Sequence, residues 1–291
     1  MQVGPPGAER VGARGEEELV QLDPDHPGFR DPLYRSRRNA IAQLALDYRA
    51  GDPAPLVEYS NEEHAVWRTV WNHLGPLHAR LGVREWRNGA ERLALDTRWI
   101  PQLVEVNERI GSDSDLQMLP VAGLISARGF LSSLERGVFL STQYIRHPSR
   151  PLYTPEPDIV HELVGHATSF LHPDFTELSR LFGEAARVAD PTALEKIERV
   201  YWYTLEFGVA LERGDVKAFG AGLLSSFGEL GEFASRASLR TFDIEQIAAT
   251  SYDPTDYQKV LFVAPSFSEM VRLLRAWLEQ IIRMGSIPAV R

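Results

Sequence analysis

The chain of 291 residues contains no cysteine. That absence excludes a disulfide framework, a thiolate metal site and a cysteine nucleophile. Any metal must therefore be held by histidine and carboxylate, and a reducing cytoplasm is the expected setting. Long apolar runs are missing too. None approaches the roughly 20 residues that span a bilayer, so no membrane partner is expected. The N-terminal stretch MQVGPPGAERVGARGEEE lacks the apolar core of a secretory signal. Positive charge is in deficit: 31 Lys and Arg against 40 Asp and Glu leave a net charge of −9. This disfavours a nucleic-acid partner and favours a small molecule. There is no internal repeat and no sustained heptad pattern.

What is present is ordinary in proportion, with 44% hydrophobic and 24% charged residues, enough to bury a substantial core. Residues 1–22, rich in Gly, Pro and charge, are expected to form a disordered tail. Periodicity then predicts helices. Residues 31–50 place Ile41, Leu44, Ala45 and Tyr48 on one face and stop at Gly51-Asp52-Pro53. Ser60 and Glu63 form a capping box ahead of Val66, Trp67, Val70, Trp71 and Leu74, where the tryptophans read as core. Further helices are expected to start at Pro76 and near Ile100-Pro101. The Gly-rich run MLPVAGLISARGF reads as an ordered loop, and residues 138–145 as a short strand. Asp190-Pro191 opens a helix that Gly214 should close, and Ser226 with Glu229 suggests a second capping box. A final helix covers Ser266–Met284. Many helices, few strands and no linker imply a mainly α fold in a single domain over residues 23–291.

Chemistry concentrates in PEPDIVHELVGH, Pro155 to His166. The zinc protease motif His-Glu-x-x-His sets its histidines four apart, only ~40° apart around a helix. Here the spacing is five, roughly 140° on an ideal α-helix, so a shared ion would require a local bend or a helix end. Asp158 can cap the helix start. Forty residues on, YWYTLEFG carries Glu206 among aromatics, where an ionised carboxylate needs a partner. Two imidazoles and a carboxylate make the facial triad of non-heme iron sites, and His161, His166 and Glu206 are the candidates. The alternative is two structural histidines and a glutamate bonded to a backbone amide. Glu162 is a rival ligand, though it faces elsewhere than His161. His172 reads as a cap, and His26, His64, His73 and His78 as surface.

The blocks PVAGLISARGF, STQYIRHPSRPLYTPEPDIVHELVGH, YWYTLEFG, FGAGLLSSFGEL and SYDPTDYQ occur in the order found in one family. Over about residues 30–275 the chain resembles the catalytic domain of the tetrahydropterin-dependent aromatic amino acid hydroxylases, and is most similar to the short bacterial phenylalanine 4-monooxygenases. The resemblance implies Fe(II) on His161, His166 and Glu206, a tetrahydropterin cofactor, and O2 as cosubstrate. It implies that Arg146, steadied by Asp158, holds the substrate carboxylate. Thr154, Gly222 and Ser225 would shape the amino-acid site, and Pro157, Trp202 and Phe207 would wall the ring pocket. Gly123, Leu124, Ile125 and Phe130 match the pterin site, Glu162 would reach the pterin through water, and Tyr201 would line the iron pocket. Three positions depart from the family pattern: Leu140 and Glu198 near the pterin, and Pro254 at a position associated with substrate preference. The implied reaction is ring hydroxylation of L-phenylalanine to L-tyrosine by a monomer or weak dimer. A tryptophan 5-hydroxylase or phenylalanine 3-hydroxylase is the alternative within the family, and a zinc metallohydrolase or a non-catalytic binding protein outside it.

Overall fold

Helices dominate because most of the chain repeats its apolar residues at helical spacing and supplies its own caps. The computed structural model describes residues 19–123 and 125–285. The expected disordered tail therefore lies, for residues 1–18, outside the described residues, as does Leu124. Beyond it, Val20 is tied down by an N–H donated to Asn39. The first helix, α1 (Pro32–Asp47), starts where the Asp31 carboxylate accepts the Leu33 and Tyr34 amides. Helix α2 (Asn61–Leu81) has the reciprocal Ser60–Glu63 box and buries Val66, Trp67, Val70 and Leu74. It runs straight through Pro76, where a new helix was expected. A mid-helix proline costs about 3 kcal/mol, but Leu74 and His78 on either side are buried on the face toward the core.

Helices α3 (Arg84–Leu93) and α4 (Leu103–Ile110) follow. The Gly-rich run expected to be a loop is only partly one. It opens in strand β1 (Gln117–Pro120) and ends in α5 (Ala127–Glu135), capped by Ser126. That helix is the crossover to strand β2 (Val138–Ser141), which pairs in parallel with β1 and stops four residues before the expected end. Helix α6 (Pro173–Val188), not foreseen, begins at His172, whose ring accepts the Asp174 amide. Helix α7 (Pro191–Tyr201) has Asp190 as its cap.

The Asp190 helix does not reach Gly214. It gives way at Gly208 to a hairpin of β3 (Val209–Glu212) and β4 (Asp215–Ala218), and Gly214, at φ 89°, sits in the turn. Helices α8 (Ala221–Ser225) and α9 (Phe227–Arg236), strand β5 (Ser238–Thr241), α10 (Ile244–Ala249), strand β6 (Val260–Ala264) and α11 (Phe267–Gly285) complete the chain. The larger sheet has the order β4-β3-β6-β5, with β6 parallel to both β3 and β5. Ser226 caps α9 through its backbone position alone. The expected box with Glu229 is absent because Glu229 accepts the Gln258 amide instead. His26 and His78, expected at the surface, are buried, and His78 Nε2 lies 2.6 Å from the Leu224 carbonyl of α8. One large core of mainly helical side chains underlies most of these elements, with a small second cluster of Ile41, Val57 and Tyr144 beneath α1, so the fold is a single mainly α domain with a few short strands.

Candidate metal centre and aromatic cavity

The spacing problem posed by His161 and His166 is solved by the winding of the helix. Residues His161–Ala167 form a π-helix, closed by a Thr168 amide bonded to the Leu163 carbonyl five residues back. In an i→i+5 winding, residues five apart lie over one another, so both imidazoles share a face. It is this winding, rather than a kink or a helix end, that joins them. Gly165 is where this helix meets α8: a Cβ there would lie 2.8 Å from Ala221 Cβ and 2.9 Å from its carbonyl oxygen. A second π-helix, Trp202–Glu206, continues α7 and ends on Glu206, closed by the Phe207 amide on the Trp202 carbonyl.

The two windings bring three donor atoms together. His166 Nε2 is 3.0 Å from His161 Nε2 and 3.1 Å from Glu206 Oε1, and His161 Nε2 is 3.5 Å from Glu206 Oε2. Ligand atoms of all three residues lie within 4.8 Å of one another. The Ser225 hydroxyl gives its proton to the Ala221 carbonyl at 2.8 Å, so toward His161 Nδ1, 3.1 Å away, it can only accept. His161 then carries its proton on Nδ1 and turns the Nε2 lone pair toward Glu206 and His166, the tautomer a metal ligand requires. Burial drives the His161 pKa down to about 4, keeping the ring neutral. Burial disfavours charge on His166 and Glu206 as well, yet their mutual attraction prevails, raising the imidazole and lowering the carboxyl. Two imidazoles and one anionic carboxylate converging at these distances fit a divalent cation of the iron or zinc type.

Two of the trio, His161 and Glu206, line a cavity of about 490 Å³, and His166 lies outside its lining. Arg146 reaches it from the segment that follows β2, fixed by Asp158 in a buried bidentate pair, Nε to Oδ2 and Nη2 to Oδ1, both 2.8 Å. Burial works against the Asp158 charge, but the guanidinium holds its carboxyl below the usual range. The same carboxylate accepts the His161 amide at 3.3 Å, so one side chain orients the arginine and caps the helical turn that leads into the π-helix. Thr154, Pro157, Gly222 and Ser225 line the cavity beside Arg146. Trp202 and Phe207 form an aromatic wall, with ring centroids 4.7 Å apart, and Phe130 and Tyr201 stand on another side at 5.8 Å. Burial raises the Tyr201 hydroxyl well above its ordinary pKa, so it is a neutral wall.

Other expected site residues do not reach this cavity. Glu162 is buried behind the trio, accepting the Thr142 amide and hydroxyl at 3.0 and 2.9 Å, and burial pushes its carboxyl up to about 7. Gly123 and Ile125 lie on the β1–α5 connection outside its lining. Of the three departures, Glu198 and Pro254 line the cavity, while Leu140 sits on β2 away from it. Glu198 is raised by burial and by Glu195. Sequence reasoning missed Tyr252 and Glu229, which also line it. The SYDPTDYQ block, with tyrosines flanking an Asp-Pro turn, was the available signal for the first. Glu229 was masked by its capping-box spacing.

Among the described residues, no helix is long and apolar enough to cross a membrane. A family model described as biopterin-dependent aromatic amino acid hydroxylase matches residues 14–288. Human tyrosine 3-monooxygenase is 44% identical over 274 residues, covering 91% of this chain and 51% of the human protein. Rat phenylalanine-4-hydroxylase is 42% identical over 273 residues, covering 92% and 60%. The chain thus spans little more than half the length of these curated relatives. Among solved structures, Chromobacterium violaceum phenylalanine hydroxylase with bound iron(III) and oxidised 7,8-dihydrobiopterin is similar, with a TM-score of 0.75 and 29% identity, covering 88% of this chain and 96% of that one. The three converging donors, two of them lining an aromatic cavity, give this match its chemical content, and the chain belongs to the biopterin-dependent aromatic amino acid hydroxylases.

Proposed function

We propose that this chain hydroxylates the ring of a free aromatic amino acid, using Fe(II) on His161, His166 and Glu206, a tetrahydropterin and O2. The observation that carries the reading is the convergence of these three donors beside an aromatic-walled cavity that also holds a carboxylate-binding arginine. When bound, the iron and pterin would supply the activation of O2. The chain's own residues position the substrate and exclude water. Arg146 has two donors committed to Asp158, and its remaining donors would take the substrate carboxylate in a fixed plane. Trp202, Phe207 and Pro157 would hold the ring against Glu206, with Thr154, Gly222 and Ser225 around the amino-acid backbone. Phe130, with Gly123, Leu124 and Ile125 on the segment before it, would form the pterin side, with Glu162 acting through water.

Our choice of substrate is L-phenylalanine, converted to L-tyrosine. Pro254 brings an apolar ring to the cavity wall, a surface that suits an unsubstituted phenyl ring. The second reading, 3-hydroxylation of tyrosine, draws support from the 44% identity to human tyrosine 3-monooxygenase. Separate incubations of the Fe(II)-loaded protein and tetrahydropterin with phenylalanine, tyrosine and tryptophan, resolved by mass spectrometry, decide between them. Tyrosine formed fastest from phenylalanine supports the first reading. Dihydroxyphenylalanine as the main product, or hydroxytryptophan, overturns it. We place the reaction in the cytoplasm, in keeping with the cysteine-free chain, and expect a monomer or weak dimer.

A further inference from the structure

Gln258 does not line the cavity, yet four hydrogen bonds tie it to three pieces of the cavity wall. Its backbone amide donates to Glu229 Oε1 of α9 at 2.7 Å. Its side-chain nitrogen donates to the carbonyls of Asp253 and Asp256 at 3.0 and 3.1 Å. Its side-chain oxygen accepts the Trp202 indole N–H at 2.9 Å. Gln258 is only 6% exposed. A primary amide is the group that meets these demands together, with two donors for the carbonyls and an acceptor for the indole. The opposed requirements at its two ends also fix which way the amide points.

What Gln258 holds is one side of the cavity. The loop 252–257 contributes Tyr252, Pro254 and Tyr257 to the lining. Tyr252 stacks on Trp202 with centroids 4.2 Å apart and planes at 10°, and Trp202 leans on Phe207. The loop has a second seat on α9, since a Cβ at Gly228 would overlap the Tyr257 hydroxyl. Trp202 also begins the π-helix that ends on Glu206. The width of the ring pocket thus depends on the angle of one indole and on one loop, and a single buried amide holds both.

We propose that Gln258 is a positioning residue that sets discrimination among aromatic substrates, acting through Trp202 and the 252–257 loop. The claim rests on the reading that this cavity takes an aromatic ring. The test uses the full chain and three variants: Gln258→Met, which keeps the shape and loses every side-chain bond; Gln258→Glu, which keeps the acceptor for Trp202 and loses both donors; and Trp202→Phe. The first readout needs neither iron nor substrate: acrylamide quenching of Trp202 fluorescence, taken by difference against Trp202→Phe. The second is the ratio of kcat/KM for phenylalanine to that for tyrosine, with the pterin KM measured alongside.

Gln258→Met is expected to raise Trp202 quenching and to change the ratio by roughly tenfold, the scale of one or two net hydrogen bonds, while the pterin KM stays within about twofold. In the Trp202→Phe background the same substitution should change the ratio by much less, because residues acting through one another are not additive. Gln258→Glu should leave quenching near the wild-type value and still shift the ratio. Wild-type quenching together with a ratio within about twofold in Gln258→Met overturns the proposal, as does full additivity with Trp202→Phe. If Gln258→Met does not fold, an unchanged ratio in Gln258→Glu overturns it. A wild-type chain without aromatic turnover, whose Trp202 quenching nonetheless responds to Gln258→Met, overturns the hydroxylase reading and supports the placement of Trp202 by Gln258.

Discussion

Glu206, His161 and His166 carry charge and lone pairs in a buried place only because they face one another, and the same rule governs Asp158 and Arg146. Replacing Asp158 by Asn leaves a buried guanidinium with half its partner. Breaking such a pair costs about 3–5 kcal/mol, and the amide that takes the place of the carboxylate would no longer match the arginine fork. We therefore expect a clear loss in denaturant stability and a KM for the amino acid raised at least tenfold, with the pterin KM little changed. Glu229 is the opposite case, a buried carboxyl with no cation in hydrogen-bonding range among the described residues. Burial raises it from 4.5 to about 7. Its protonated form is favoured in the fold, so its contribution to stability is full below about pH 4.5 and is lost as pH rises through 7. Glu229→Gln keeps the acceptor for Gln258 and removes that loss. Urea melts should show the variant more stable than wild type at pH 8, by at most about 3 kcal/mol, and no more stable at pH 4.5. An equal difference at both pH values would contradict this.

Two π-helices do at the scale of elements what single residues cannot. The first stacks histidines five apart, and the second ends on the carboxylate that meets them. The first is seated on α8 through Gly165, where a methyl group would press into Ala221. Gly165→Ala should destabilise the protein by about 1–3 kcal/mol, as overpacking does, and weaken metal retention. Adding Ala221→Gly removes the closest of three close contacts and should restore part of the loss in thermal melts. Residue types and caps were legible in the sequence: the Ser60–Glu63 box, the Asp190 cap, the final helix and the isolated Glu206 all follow from local chemistry. The π winding was not, because it depends on i→i+5 bonds that leave no periodic signature in seven residues. Pro76 misled for a similar reason, since burial of Leu74 and His78 outweighs a local preference. Gly214 was misread because a glycine that ends a helix and one that turns a hairpin look alike in sequence. Gln258 and Glu229 stayed hidden because the bonds that tie them to each other and Gln258 to Trp202 join residues 29 and 56 positions apart.

Taken whole, the molecule is a mainly α domain with an aromatic-walled cavity, and the trio beside that cavity should couple metal binding to stability. At Fe(II) one hundred times its dissociation constant, binding to the folded state alone adds about 2.7 kcal/mol, several degrees in Tm for a domain of this size. Anaerobic Fe(II) should produce that rise in the wild type and none in His161→Ala. The central claim is chemical, and oxygen uptake with product identification tests it most directly. The Fe(II)-loaded chain, given tetrahydropterin and L-phenylalanine, should consume O2 and yield tyrosine, and Glu206→Ala should yield at least a hundredfold less. Full activity in Glu206→Ala, or no hydroxylated product from any aromatic amino acid with the wild type, would contradict the account.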